Sequence, residues 1–210
     1  ITLQQVLNAR KEARKPLGLY DYAPISDGAA IIILTNKENA KNFTETPVDI
    51  LGCSSATDYL TFPAREDLTH FLVSEMAMKG ALKMAGIGLR EMRIVELYDQ
   101  STFMEMVSLE DLGFCERGKA WRNIYESCQD YKGYYEINGN ELFVNMNGGL
   151  KADGNPLGAT GGAQIFEVFR QLREEAGERQ VKSSKELKYG CMLELEGFGT
   201  KGYVYILGRD

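Results

Sequence analysis

A glycine-rich run at residues 153–163, DGNPLGATGGA, is the first stretch whose residue types suggest a site. Asp153 is its only ionisable side chain, and the pattern of an amphipathic helix follows it. Backbone N–H groups at the start of a helix lack intrahelical partners and favour negative charge. So bare a loop predicts the close approach of a ligand or of another backbone. The alternative is a tight turn that lets the helix pack closely.

Nucleotide binding is not the favoured chemistry for this loop. A phosphate-binding P-loop ends in Gly-Lys followed by Ser or Thr, and the run has no such ending. A dinucleotide-binding loop follows directly on a strand and has an acidic residue about 20 positions later. No strand pattern comes directly before this run, so the sequence does not favour dinucleotide binding.

The histidine and cysteine content argues against several common kinds of site. His70 is the only histidine, so a zinc site or a Ser-His-Asp triad would depend on it alone. An ordinary structural histidine is the favoured interpretation. The cysteines form no Cys-x-x-Cys pair and are typical of reduced cytosolic thiols; they are Cys53, Cys115, Cys128 and Cys191. We therefore predict no metal site and a cytoplasmic location.

The overall composition predicts a globular chain. Its 210 residues are 44% hydrophobic and 26% charged, enough for one large domain or two small ones. The net charge of −6 argues against nucleic acid as a main partner. No window reaches the roughly 18 apolar residues of a membrane span, so no membrane partner is predicted. The chain begins with Ile1 and no signal-peptide pattern follows, which leaves a processed product and a piece of a longer protein both open.

Hydrophobic periodicity predicts an alternation of helices and strands. Residues 29–35, AAIIILT, predict a strand buried on both faces, and residues 66–85 predict a long helix. The apolar face of that helix holds Leu68, Phe71, Leu72 and Met76. Further helices are predicted at 2–12, 35–43, 102–112 and 161–176, and further strands at 48–52, 92–97, 189–195 and 202–207, with a short extended piece at 142–145.

This order predicts an α/β fold with a mixed five-stranded sheet and helices on both faces. We expect one domain over residues 1–210, with a polar, aromatic insertion at about 116–140. In such sheets, sites gather in the loops beyond the strand ends. Three loops qualify, at 98–102, 154–161 and 193–199.

Five segments resemble, in order, the landmarks of the thiolase superfamily. Residues 147–164, NGGLKADGNPLGATGGAQ, resemble the glycine loop, which typically has the form GG-x-x-x-x-GHPxGATG. The others are YAPISDGAAIIIL at 22–34, VELYDQSTFMEMVSLEDLGFCERG at 95–118, IFEVFRQLREEAGERQV at 165–181 and GFGTKGYVYIL at 197–207. The resemblance covers nearly the whole chain and is closest to sterol-carrier-protein-type and archaeal thiolases.

The resemblance implies half of a larger catalytic unit. Thiolases pack two similar halves, and this chain resembles only the C-terminal one. It implies a coenzyme A thioester as substrate and no cofactor bound by this chain. It also implies an N-terminal half from the same or a separate chain, a homodimer or heteromer, and a zinc-ribbon/OB-fold protein as a further candidate partner. The family's nucleophilic cysteine lies in the other half, so no cysteine here inherits that role.

The three functional positions that the resemblance implies depart from the usual family residues. Asn155 replaces the GHP histidine, Tyr98 stands where the middle motif has His or Asn, and Glu194 aligns with a second cysteine that acts as acid and base. Asn155 can donate a hydrogen bond to an enolate or thioester oxygen but is no base near neutral pH. Tyr98 is a proton donor, and Glu194 is a general base where burial raises its pKa. The resemblance also implies substrate contacts at Gly154, Gly158, Gly197 and Phe198.

Cys191 is the alternative candidate for the second cysteine. It lies three residues before Glu194, and on a strand an odd offset points to the opposite face. Packing is therefore its favoured role.

Three functions stay open on the sequence. One is carbon–carbon bond formation or cleavage next to a CoA thioester, by a thiolase-type acyltransferase or a thiolase-like retro-aldolase. Such aldolases resemble this sequence in having Tyr in the middle motif. The second is a non-catalytic scaffold subunit of a thiolase complex, and the third is a module that presents acyl-CoA to another protein.

Overall fold

A six-stranded mixed sheet with helices on both faces forms the centre of the computed structural model, which describes residues 2–9, 16–129, 133–183 and 185–209. The strands are β1 (Asp49–Thr57), β2 (Ile94–Leu97), β3 (Tyr135–Ile137), β4 (Asn140–Val144), β5 (Tyr189–Glu196) and β6 (Lys201–Gly208). The helices are α1 (Leu3–Ala9), α2 (Lys37–Ala40), α3 (Leu72–Ala85), α4 (Thr102–Asp111), α5 (Ala120–Gln129), α6 (Gly149–Asp153) and α7 (Thr160–Leu172). The predicted α/β class and mixed sheet are confirmed.

The strand order is β1-β6-β5-β2-β4-β3. Strand β2 lies parallel to both β4 and β5, and the other neighbours are antiparallel. The described residues form six strands rather than the predicted five. The strand predicted at 29–35 is absent, and the hairpin of β3 and β4 adds two strands at one edge of the sheet. The turn of this hairpin is Asn138-Gly139, in which both residues have positive φ, the usual signature of a two-residue hairpin turn.

Two hydrophobic clusters lie on opposite faces of the sheet. Helix α3 packs on one face through Val73, Ala77 and Ala81, in a cluster that also holds Cys191 and Val204. Helix α7 packs on the other face through two apolar residues, in a cluster with residues from β2, β4 and β6; these are Val168, Leu172, Ile94, Phe143 and Leu207. Helices on both faces, as predicted, leave the loops beyond the strand ends free to form a site.

The strand predicted at residues 29–35 is wrong. The segment forms no strand, and it is exposed, with Ile31 at 88% and Ile33 at 91% of full exposure. A β-branched run specifies an extended conformation, but a strand also needs a neighbouring edge. Within the described ranges, no strand pairs with this segment.

The predicted long helix at residues 66–85 is also corrected. Helix α3 begins at Leu72, and Leu68, Leu72 and Met76 are exposed rather than buried. The buried line consists mainly of small residues because the helix lies very close to β1. A Cβ at Gly52 would overlap the carbonyl oxygen of Ala81, and one at Gly80 would overlap the Ser54 side chain.

No described helix is long and apolar enough to cross a membrane. Helix α1 covers part of the predicted helix 2–12, whose last three residues lie outside the described ranges.

The close approach of α3 to β1 makes Gly52 a sensitive position. We expect Gly52→Ala to lower the free energy of unfolding by about 1–3 kcal/mol, because the new methyl group has to displace helix backbone. The control is Gly88→Ala, whose Cβ would meet only a Glu91 side-chain atom at 3.6 Å. Urea unfolding of both variants, each purified together with the partners that this chain retains, checks this, and equal stability of the two would contradict the packing described.

Candidate active site

The parallel pairing of β2 with β5 brings two of the predicted site residues to the same end of the sheet, where both strands have their carboxyl ends. Leu97 is in register with Leu193, so Tyr98 and Glu194, the next residues, follow at neighbouring positions. The negative charge of Glu194 contributes to raising the pKa of Tyr98, as expected for close neighbours. The two side chains come from different segments, but the hydrogen-bonded pairing of β2 with β5 fixes their relative positions.

Asn155 reaches the same end of the sheet from the glycine-rich loop. Its Nδ2 donates a hydrogen bond to the Tyr98 hydroxyl oxygen over 2.8 Å. Its Oδ1 accepts from the Leu157 backbone N–H at 3.2 Å and from the Thr160 hydroxyl at 3.0 Å. The two donors on Oδ1 fix the amide orientation, so Nδ2 has to face the tyrosine. The structure thus brings together Tyr98 and Asn155, with Glu194 beside them.

The hydroxyl proton of Tyr98 is free for use in this arrangement. Tyr98 accepts from Asn155, and within the described chain its hydroxyl donates to no protein group. Tyr98 is 7% exposed and Asn155 is fully buried. Burial, followed by the nearby Glu194 charge, raises the pKa of Tyr98. The phenol therefore stays protonated and can donate to an oxygen atom placed beside it.

Glu194 has the properties of an acid–base group. Burial, with a smaller contribution from the charge of Glu196, raises its pKa to about 8. Its Oε2 atom is buried and meets no hydrogen-bond partner in the described structure. A Cβ on Gly161 of α7 would come within 3.5 Å of the Glu194 side chain. The stem of the Glu194 side chain therefore lies close to the first turn of α7.

The glycine loop admits another backbone. Gly154 and Gly162 lie against the segment 26–30, because a Cβ on Gly154 would overlap Ser26 and one on Gly162 would lie 2.7 Å from Ala30. Gly28 belongs to that segment, and a Cβ there would lie 2.8 Å from Pro156. Asn155 N–H donates to the Pro24 carbonyl at 2.9 Å, and Ser26 N–H donates to the Asn155 carbonyl at 3.2 Å. These contacts favour the close-packing interpretation of the loop.

The four predicted substrate contacts do not share one cavity. Gly154 lines a small cavity of about 50 Å³ behind the loop, and Gly158 faces open space. Gly197 and Phe198 form the β5–β6 turn, where both have positive φ. Phe198 lines a separate apolar pocket of about 440 Å³ next to Gln100 and Ser101.

That apolar pocket adjoins the loop that follows Tyr98. Its other lining residues include Phe62, Phe71, Phe103 and Tyr22. The Phe62 and Phe198 rings meet edge to face with centroids 6.1 Å apart. Arg65 donates to the Phe198 carbonyl at 2.8 Å and so holds the turn in place. The pocket is apolar space beside the polar site.

Cys191 is fully buried in the hydrophobic cluster under α3, and burial raises the pKa of its thiol to about 12. Met192 and Glu194 face α7 instead, so the odd offset separates the thiol from the site as predicted. His70 lies 3.7 Å from Asp111 and 3.9 Å from Asp67. Among the described residues, no group of three or more His, Cys, Asp or Glu is arranged to hold a metal ion.

Two residues near the site were missed from the sequence. Thr160 fixes the Asn155 amide, and its signal was its place in the GATG motif. Asp99 accepts from the Leu150 N–H at 2.8 Å, and burial raises its pKa to about 7. It follows Tyr98 directly and lies within the loop predicted at 98–102.

The fold and this loop-edge site define a thiolase-type α/β half. A comparison with protein-family models matches residues 54–209 to the family described as "Thiolase C-terminal domain-like". The chain is 38% identical over 209 residues to an "Acetyl-CoA acetyltransferase" of Methanothermobacter thermautotrophicus, covering all of this chain and 52% of that protein. It is 34% identical over 189 residues to "Sterol carrier protein 2" of Gallus gallus, covering 88% of this chain and 33% of that protein. The chain therefore belongs to the thiolase family and corresponds to the C-terminal half of its members.

A solved structure titled "Ltp2-ChsH2(DUF35) aldolase" superposes with a TM-score of 0.78 at 24% identity, covering all of this chain and 52% of that one. At this identity the likeness shows the fold. The chain spans about half the length, or less, of the curated relatives it matches.

The raised pKa of Glu194 gives a prediction for stability against pH. The folded state keeps the Glu194 proton up to about pH 8, whereas the unfolded chain releases it near the ordinary value of 4.5. Folding therefore binds a proton between these values, and the stability contributed by this group falls as pH rises from about 5 to 8. We expect Glu194→Gln to lose less stability over this interval than the wild type, by on the order of 1–2 kcal/mol after allowance for partial exposure.

Urea unfolding at several pH values, on material purified together with the partners that this chain retains, measures this difference. Glu178→Gln, at an exposed position away from the site, is the control and should follow the wild type. Parallel pH profiles for the wild type and Glu194→Gln would show that the carboxyl titrates normally.

Proposed function

We propose that this chain is the C-terminal half of a thiolase-like enzyme that makes or breaks a carbon–carbon bond next to a CoA thioester. The observation that carries the proposal is the hydrogen bond from Asn155 to Tyr98, which leaves the phenol proton free beside the Glu194 carboxyl. The names of the relatives, acetyl-CoA acetyltransferase and aldolase, support chemistry of this class. No cofactor is required for it.

The acyltransferase and the aldolase reactions share an enolate at the carbon next to the thioester. In bond formation, the Glu194 carboxylate takes the proton from this carbon and the electron pair moves into the enolate. In aldol cleavage, the carboxylate takes the proton of the β-hydroxyl group, the carbon–carbon bond breaks, and the resulting enolate carbon receives that proton. In both, the Tyr98 hydroxyl donates to the enolate oxygen, where negative charge develops.

Asn155 acts through Tyr98 in this proposal. It is fully buried and its amide is engaged by Tyr98, Leu157 and Thr160. Its role is to fix the phenol oxygen so that the proton points at substrate. The apolar pocket lined by Phe198 is where we place the acyl portion of the thioester.

The aldolase alternative is favoured by the residue types at the site. An Asn in place of the family's histidine cannot activate a cysteine nucleophile as a base. A protonated Tyr98 and a carboxyl with a pKa of about 8 suffice for the proton transfers of aldol chemistry. Acyl transfer needs, in addition, a nucleophile from outside this chain.

An N-terminal thiolase half, in the same or a separate polypeptide, is the partner we propose. The motivation is the chain's coverage of about half of its relatives and a large set of exposed apolar side chains, far more than scattered surface residues. These include Ile31, Ile33, Leu34, Leu60, Leu72, Met76 and Met84. A thiolase-type dimer or heteromer, with a zinc-ribbon/OB-fold protein as a possible further subunit, completes the assembly.

The partner proposal predicts that the isolated 210-residue chain is not a stable monomer. We expect it to associate or to unfold without cooperativity in sedimentation and thermal measurements, because its apolar surface is uncovered. Purification from its own cells through a tag on this chain should recover an N-terminal half, and zinc analysis of the same material tests for the zinc-ribbon subunit. A compact, cooperatively unfolding monomer would contradict this prediction.

The catalytic proposal predicts a loss of activity in Tyr98→Phe, because one proton donor is lost. We expect the assembly purified with this variant to turn over acyl-CoA substrates about 10²–10⁴-fold more slowly than the wild type. Binding of acyl-CoA should change little. Asn155→Ala should add little to Tyr98→Phe in the double variant, since the amide acts through the phenol.

Tyr205→Phe on β6 is the matched control and should retain the wild-type rate. Turnover is measured for acyl transfer and for aldol cleavage separately, so the products identify the reaction. Unchanged rates in Tyr98→Phe and Asn155→Ala, with only stability altered, would replace the catalytic proposal with the scaffold function.

A further inference from the structure

The residue that follows β4 has a backbone conformation that few side chains adopt. Asn145 has a φ of 46°, in the left-handed region, where asparagine is enriched over most other residues. The chain turns away from the sheet here, since β4 ends at Val144. Residues in such conformations are held there by their surroundings, and they cluster at functional sites. The contacts of Asn145 therefore show what the conformation is for.

The side chain of Asn145 extends the pairing of β4 with β2. The backbone pairing ends with Val95 opposite Val144, and the Asn145 N–H still donates to the Val95 carbonyl at 3.0 Å. Leu97 lies two residues further along β2 and turns its backbone groups to the same side. The Asn145 amide oxygen accepts from the Leu97 N–H at 2.6 Å, and the amide nitrogen donates to the Leu97 carbonyl at 3.3 Å. One side chain thus bonds to both backbone groups of Leu97.

These bonds fix the peptide unit that carries Tyr98. The Leu97 carbonyl and the Tyr98 nitrogen belong to one peptide group, which is planar. This carbonyl accepts from the Asn145 amide and also from the Asp99 N–H, at 2.9 Å. Because the peptide plane is held in this way, the direction in which the Tyr98 side chain leaves the backbone is restricted.

The residue on the other side of Tyr98 is anchored to the same segment. The Asp99 carboxyl accepts from the Leu150 N–H at 2.8 Å. A Cβ on Gly149 would overlap this carboxyl, so the glycine permits the contact. Burial raises the pKa of Asp99 to about 7, and hydrogen bonds from Leu150 and from the Asn145 amide counteract this effect. Both sequence neighbours of Tyr98 are therefore held by the segment that follows β4.

The segment that follows β4 also leads to Asn155. Helix α6 begins at Gly149 within this segment, and the Gly154 N–H donates to the Leu150 carbonyl at 3.0 Å at the end of the helix. Asn155 is the next residue, and its amide lies 2.8 Å from the Tyr98 hydroxyl. The two groups that meet in this bond thus depend on one segment for their placement. A displacement of about 1 Å in such an arrangement can cost on the order of 10²-fold in rate.

We propose that Asn145 is a positioning residue, which holds the Leu97–Tyr98 peptide so that the phenol meets Asn155 and presents its proton to the substrate. Asp99 supports the same placement from the other side of Tyr98. The inference rests on the proposed function, because it assigns Asn145 a role in aiming the proton donor of that reaction. Asn145 acts through Tyr98, since its amide is engaged by Leu97.

The test uses Asn145→Gly in the assembly purified through a tag on this chain. Glycine adopts positive φ without strain, so this change removes the amide and permits the same backbone conformation. We expect kcat for acyl-CoA turnover to fall about 10–100-fold, because the phenol is no longer held in place. KM should change little, since Asn145 lies outside the apolar pocket in which we place the acyl portion.

Asn138→Gly is the matched control. Asn138 also has a positive φ, of 52°, and its side chain donates to the Phe114 carbonyl at 3.2 Å, beyond the other end of β4. Both substitutions add the same freedom to the unfolded chain, so their effects on the melting temperature should be similar. Only Asn145→Gly should lower kcat, and Asn138→Gly should retain the wild-type value.

A double variant separates positioning from a purely structural role. In the Tyr98→Phe background, Asn145→Gly should slow turnover little further, since the amide acts through the phenol. A residue that only stabilises the fold would add its full loss in that background. Asp99→Ala, which removes the second anchor, should show the same pattern, and it decides the question where Asn145→Gly does not fold.

Two results would overturn this inference alone. One is slow turnover in Tyr98→Phe together with a wild-type rate in the folded Asn145→Gly assembly or, where that variant does not fold, in Asp99→Ala. The other is a loss in Asn145→Gly that adds in full to the loss in Tyr98→Phe. Unchanged turnover in Tyr98→Phe itself would overturn the proposed function and this inference with it.

Discussion

The parallel ladder between β2 and β5 is the constraint on which the rest of the site depends. It sets Leu97 beside Leu193 and therefore Tyr98 beside Glu194. The same ladder turns Glu96 towards α7, where it interacts with Glu167, while Val95 and Leu97 pack into the cluster under α3. A shift of one residue in this register would exchange these faces, burying Glu96 among apolar residues and moving the Glu194 carboxyl away from the phenol.

The segment 22–30 is the second element that holds the site residues in place. Its Ala23 N–H donates to the Gln100 carbonyl at 2.8 Å, beside Tyr98, and its Pro24 and Ser26 backbone groups bond to Asn155. One strip of backbone thus connects the two loops whose side chains meet in the Asn155–Tyr98 bond. Because Gly154 and Gly162 have no Cβ, the strip fits closely enough for these bonds to form. The glycine loop is bare chiefly for this reason.

Residues whose placement depends on strand alternation and neighbouring positions were predictable from the sequence. The opposite facing of Cys191 and Glu194 followed from the period of two, and the element order was sufficient for a mixed sheet. The roles of Gly154 and Thr160 were not predictable, because they depend on segment 22–30 and on a side-chain bond between a loop and a helix start. Neither contact has a periodic signature.

The burial errors have a common physical origin. The pattern of residues 29–35 predicted a buried strand, and Leu72 and Met76 were predicted on a buried helix face, yet these side chains are exposed in this chain. A hydrophobic pattern encodes burial in the state in which the protein is stable, and that state includes any partner. The misplaced residues are all apolar and lie outside both core clusters, which is the distribution expected of an uncovered interface rather than of a wrong fold. Helix α7 shows the opposite pattern, because its inward face is polar: Thr160, Gln164, Glu167 and Gln171 are all buried. Such a face is stable only where hydrogen-bonded groups replace the water it has lost.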